Sequence, residues 1–172
     1  MEGDLPVQKI DGVEITGQFD RLDINTRTGE WRVYDYKTFS YAKNPVGTHT
    51  AKGVTGEPFT ATVRKRDRGG VDKNETKLIR WKDLQLPVYH MALKKGWNKT
   101  GIPSKLQIGY LCLPAQANET SEEIWEFYHE DHLESAEAQI KAVIKALTTG
   151  GAAAFQPSER GSDYPVLAAL NG

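Results

Sequence analysis

The chain has 172 residues, the size of one compact domain able to bury a substantial core. With 38% apolar and 26% charged residues it reads as a globular protein, and its net charge of −1 gives no global electrostatic case for nucleic-acid binding, so a binding face must come from local clustering. No run approaches the ~18 apolar residues of a membrane helix, Met-Glu-Gly-Asp is no signal peptide, and the single cysteine, Cys112, excludes a disulfide framework and fits a reducing cytoplasm.

Residues 5–24 predict a β-hairpin: a first strand from Leu5 to Ile10, a turn at Asp11-Gly12, and a return strand from Val13 to Ile24. Asp-Gly between alternating runs is a strong hairpin signal. A second turn, Thr26-Arg-Thr-Gly29, leads into a third strand from Glu30 to Thr38, so three consecutive strands are expected as a meander. Side chains alternate along a strand, which puts Trp31, Val33, Asp35 and Lys37 on one face and Arg32, Tyr34 and Tyr36 on the other. A carboxylate and an ammonium therefore end an otherwise apolar face. The neighbouring strand can bring Asp20 close to Asp35, and two such carboxylates repel unless a cation or a proton joins them. A lone D-x-K pair reads more simply as a surface salt bridge. Asp23, three residues from Asp20, is expected on the opposite face, paired with Arg21.

Residues 39–77 form a long polar insert in which only a short strand near Pro58–Arg64 is expected, the remainder being loop. Its basic run, Arg64, Lys65, Arg66 and Arg68, reads either as a solvated flap or as a loop touching phosphates. From about Lys82 to Gly96 the pattern becomes helical, with Leu84, Val88, Met91 and Ala92 on a stripe, Asp83 as N-cap and Pro87 in the first turn. Gln85 and Tyr89, four apart, share one face of this helix. Strands are expected at Lys105–Leu113 and Glu122–His129. An amphipathic helix follows from Asp131 to Leu147, with Leu133, Ala136, Ile140, Val143, Ile144 and Leu147 on one stripe and a capping-box-like start at Asp131 and Glu134. The expected division is a core over 1–150, carrying the 39–77 insert, and a tail over 151–172 that packs on or trails it.

The blocks Gly17-Gln-Phe-Asp-Arg-Leu-Asp, Val33-Tyr-Asp-Tyr-Lys-Thr and Asp83-Leu-Gln-Leu-Pro-Val-Tyr-His resemble, in that order, the RecB-type nuclease domain of the PD-(D/E)xK superfamily, as found also in AddB-like helicase–nuclease subunits. The resemblance implies a restriction-endonuclease-like core: α+β to α/β, with a central mixed sheet of about five strands flanked by helices. It implies a Mg²⁺- or Mn²⁺-dependent deoxyribonuclease of DNA repair or recombination, an exonuclease in preference to an endonuclease, with DNA as substrate, a helicase domain or subunit as companion and no membrane partner. Asp20, Asp35 and the backbone carbonyl of Tyr36 would bind the metal. Lys37 would orient the attacking water, and Gln85 and Tyr89 would support the site or touch the strand.

Two features depart from the family. AddB-type relatives carry tail cysteines that hold an iron–sulfur cluster; residues 150–172 contain none, so no cluster is expected. RecB-type sites also use a histidine well upstream of the G-x-x-D block, and none of the sixteen residues before Gly17 is histidine; His49, His90, His129 and His132 lie elsewhere. The expectation is a C-terminal part of a longer protein, with Glu14 as a conceivable substitute carboxylate. The competing reading is a nuclease-like DNA-binding or scaffold module that does not cleave.

Overall fold

The computed structural model describes residues 1–38, 44–57, 59–67, 69, 71–98 and 100–150. In chain order its elements are β1 (Gly3–Asp4), β2 (Gln8–Ile10), β3 (Val13–Ile15), β4 (Gln18–Phe19), β5 (Arg21–Ile24), β6 (Glu30–Lys37), α1 (Pro45–His49), β7 (Thr50–Lys52), β8 (Thr60–Arg66), β9 (Asp72–Trp81), α2 (Gln85–Leu93), β10 (Lys105–Cys112), β11 (Ser121–Ile124) and α3 (Glu130–Gly150). Arg68 and the expected tail, 151–172, lie outside the described residues.

The central sheet has four strands in the order β11-β10-β6-β5. β6 runs antiparallel to β5 but parallel to β10, and β10 runs antiparallel to β11, so the sheet is mixed, as expected of a restriction-endonuclease-like core. The expected fifth strand is absent from this sheet because the first hairpin stands apart. β2 and β3 pair only with each other around Asp11 and Gly12, both at positive φ (50° and 85°), as the Asp-Gly signal requires. The long return strand expected from Val13 to Ile24 is broken into β3, β4 and β5, with Asp20 at the break between the last two. There the Asp20 carboxylate takes the N–H of Tyr36 at 2.7 Å, a side chain standing where a backbone partner would continue the ladder.

The 39–77 insert is not mostly loop. It carries α1 and contributes to a second, three-stranded antiparallel sheet in the order β7-β9-β8. β9 escapes periodicity because its residues Asp72 to Lys77 are all exposed and polar; only its end, from Leu78 to Trp81, enters the core. The strand expected at Glu122–His129 stops at Ile124, where Trp125 turns inward and the chain enters α3.

α2 packs on β10, β6 and α3, and α3 packs on β8. α2 is shorter than expected and buried around most of its girth, through Leu86, Pro87, Tyr89, Met91, Ala92 and Leu93. Leu84 occupies its cap position, while Asp83 Oδ1, one residue earlier, accepts the N–H of Gln85 at 2.7 Å and so satisfies a first-turn donor. The α3 stripe is buried at Leu133, Ala136, Ile140 and Ile144, but its last predicted member, Leu147, is exposed. Asp131 is not a capping-box member. It lies inside the first turn, and its carboxylate turns to Arg64.

The main core joins Trp31 and Val33 of β6, Ile108 and Tyr110 of β10, Leu22 of β5, and Leu86 and Leu93 of α2. Gly109 lets β10 approach β11: a Cβ there would lie 2.5 Å from the carbonyl oxygen of Glu123. Gly109→Ala should therefore destabilise the fold by ~1–3 kcal/mol through overpacking, read as a lowered denaturant midpoint. An unchanged midpoint would mean that β11 yields freely.

Candidate active site

Three elements build the site. β6 presents alternate side chains to its two faces, so Trp31 and Val33 enter the core and Asp35 and Lys37 follow on the same face. The parallel register sets Tyr110 beside Asp35 and Cys112 beside Lys37 on β10. α2 covers this face and brings Gln85 and Tyr89 over it. Asp20 comes from the break beside β5, whose Arg21 pairs with Tyr34, so one further step along the strand reaches the level of Asp35.

Asp35 is only 4% exposed. Burial is the main influence raising its pKa above the usual 3.8, with Asp20 and Asp83 adding to the rise and Lys37 opposing it. Lys37 Nζ lies 2.5 Å from Asp35 Oδ2, a charge-assisted contact that offsets part of the cost of burying the carboxylate. Lys37 also reaches Gln85 Oε1 at 3.4 Å and sits 5.4 Å from the centroid of the Tyr110 ring. Gln85 donates onward from Nε2 to the Tyr89 hydroxyl at 3.1 Å. Burial pushes the Tyr89 pKa up to about 12, so the phenol stays protonated. Asp20, Asp35, Lys37, Gln85 and Tyr89 are thus gathered in one place.

Three further residues belong to this neighbourhood although nothing in their spacing marks them. His49, fully buried at the end of α1, has Nδ1 3.0 Å from the carbonyl oxygen of Asp83 and Nε2 2.6 Å from the Tyr110 hydroxyl. A carbonyl can only accept, so Nδ1 carries the proton and Nε2 accepts from Tyr110. Burial lowers the His49 pKa, which keeps the ring neutral. This chain of contacts ties α1, the start of α2 and β10 together beneath Lys37. The Asp83 carboxylate adds a negative charge that Asp35 feels.

The other candidates lie elsewhere. Asp23 pairs with Arg21 at 2.9 Å. Glu14 is exposed on the separate β2–β3 hairpin, opposite Lys9. Arg64 forks onto Asp131 (2.6 and 2.7 Å) and reaches Asp72; Lys65 pairs with Glu75 and Arg66 with Asp72. Among the described residues no three His, Cys, Asp or Glu side chains gather closely enough to hold a metal ion. The donors that do converge, two carboxylates of which one is buried and feels the other's charge, suit a hard cation that keeps several waters.

Because the native Asp35 pKa is raised, its protonation stabilises the fold. That contribution is complete below the unfolded value near 3.8 and is lost as pH rises through the native one. In chelator at neutral pH, Asp35→Asn should melt above the wild type, and the gap should close on acidification. A lower-melting variant at neutral pH would show that the lost Lys37 pairing outweighs the relief of burial.

Compared with known proteins, residues 1–54 match the family model described as the PD-(D/E)XK nuclease superfamily. That stretch contains Asp20, Asp35 and Lys37, and the match supports a nuclease at superfamily level. No curated protein and no solved structure matches. No described helix is long and apolar enough to cross a membrane.

Proposed function

We propose that this chain is a Mg²⁺- or Mn²⁺-dependent deoxyribonuclease domain of the RecB type, acting on DNA ends as an exonuclease in repair or recombination, in company with a helicase domain or subunit. The observation that carries this reading is the buried Asp35 held between Asp20 and Lys37. Asp20, Asp35 and the backbone carbonyl of Tyr36 are the proposed metal-binding atoms. The bound ion would supply neutralisation of phosphoryl charge and a more acidic water.

The protein's own part is positioning. Lys37 places a cationic donor at the mouth of the carboxylate pair, where it orients the attacking water and opposes charge developing on the phosphoryl oxygens. Gln85 accepts from Lys37 and donates to Tyr89, so the ammonium is held rather than free to swing. Tyr89 keeps its own O–H available to a strand phosphate or to water. Arg64, Lys65, Arg66 and Arg68 are proposed contacts to the DNA backbone.

The second reading, a DNA-binding or scaffold module without cleavage, draws on the missing third side-chain ligand among the described residues. It gives no role to a buried carboxylate kept beside another, whose burial Lys37 offsets only in part.

Lys37→Ala separates the two. The nuclease reading predicts a loss of at least ~10²-fold in cleavage of DNA, with the thermal stabilisation by Mn²⁺ retained because no carboxylate is touched. Cleavage at the wild-type rate would remove Lys37 from the mechanism, and a wild type that binds Mn²⁺ yet leaves DNA intact would favour the module.

A further inference from the structure

We propose that the cleft between β8, β9 and the entry to α3 binds the phosphate backbone of a single DNA strand, at a place that shares no lining residue with the Asp20–Asp35–Lys37 cluster. The inference rests on the nuclease reading for its choice of ligand and names how such an enzyme would hold its substrate. The cleft has a volume of about 340 Å³, within the ~300–1,000 Å³ typical of ligand sites. Arg64, Lys65, Arg66, Lys73 and Lys77 all line it.

The charges there do not cancel. Three carboxylates, Asp72, Glu75 and Asp131, pair with Arg64, Lys65 and Arg66. With Glu134, which also acts on Arg64, five cations face four carboxylates, an excess of one positive charge in a protein whose net charge is −1. The excess is carried by Lys73 and Lys77, both exposed and both lining the cleft, on the stretch of β9 where its register with β8 is irregular. Neither has a carboxylate within ion-pair distance among the described residues. The paired arginines are held by their carboxylates with N–H groups in fixed directions, whereas the two lysines make no ion pair among the described residues, Glu75 acting on Lys73 only at longer range.

A second observation points to the same ligand. His129 and His132 line the cleft wall, and each is more than nine-tenths buried. His129 Nδ1 lies 3.9 Å from Asp131 Oδ1, and the buried Nδ1 of His132 has no hydrogen-bond partner among the described residues. Half-buried Phe127 lines the same cleft and offers an aromatic face to a sugar or base, which suits a nucleic-acid strand better than an acidic peptide.

The test is anisotropy of a short fluorescent single-stranded oligonucleotide with the whole chain in chelator, so that binding is read without cleavage. Lys73→Ala/Lys77→Ala should bind roughly tenfold more weakly, and its plot of log affinity against log salt should be shallower by about 1.4, two contacts at ~0.7 each. The Lys73→Arg/Lys77→Arg variant should restore both, which a folding defect would not allow. Unchanged affinity and slope in the alanine variant would overturn the proposal. So would a wild type that binds an acidic peptide or inorganic phosphate but not the oligonucleotide. Intact binding in chelator with no cleavage in Mn²⁺ would remove the nuclease reading and leave this site standing.

Discussion

The parallel ladder between Glu30–Lys37 and Lys105–Cys112 is the constraint on which the site depends. β10 covers one edge of β6 and β5 the other, so β6 is an interior strand, and α2 closes the face that carries Trp31, Val33, Asp35 and Lys37. On an edge strand the same D-x-K pair would be a solvated salt bridge of little energetic weight. Here the alternation that sends Trp31 and Val33 into the core carries Asp35 in behind them, and desolvation gives that carboxylate its unusual character.

Everything near Asp35 either answers or worsens that burial. Lys37 offsets it, while Asp20 and Asp83 add negative charge. An arrangement of this kind is poor as a stability device, since replacing a buried ion pair by well-packed apolar side chains is often neutral or stabilising. It is well suited to capturing a cation. The support beneath Lys37 fits the same purpose: Gln85 and Tyr89 fix the ammonium from the helix side, and the neutral His49 with Tyr110 fixes the wall opposite. The helix, the α1 turn and the central strands are thereby braced against one another where positional accuracy matters most.

What was legible beforehand was local. Asp11-Gly12 announced a turn because only a few residues tolerate its positive φ, and the D-x-K strand announced its faces because strand periodicity has no competitor over eight residues. The α3 stripe was clear because a long helix repeats its pattern many times. What escaped was set by tertiary contact. β9 hid behind six consecutive polar residues because a strand projecting into solvent has no buried face to betray it. His49 gave no sign, and Asp83 showed only its place at the helix start, because their shared role comes from a buried contact between α1 and the start of α2, 34 residues apart in the chain. The basic run was legible as charge, but its pairing with Asp72, Glu75 and Asp131 was not, nor was the way this leaves Lys73 and Lys77 without an ion pair among the described residues lining the cleft.

The central claim is that Asp20 and Asp35 form one cation site. Calorimetric titration of Mn²⁺ into the wild-type chain, Asp20→Asn and Asp35→Asn tests it most directly, since each asparagine removes a charge and preserves shape. The account predicts a single saturable site in the wild type, weakened at least ~10-fold in either variant, as expected for loss of one of two charged ligands. Binding that survives in both variants, or is missing from the wild type, would contradict it.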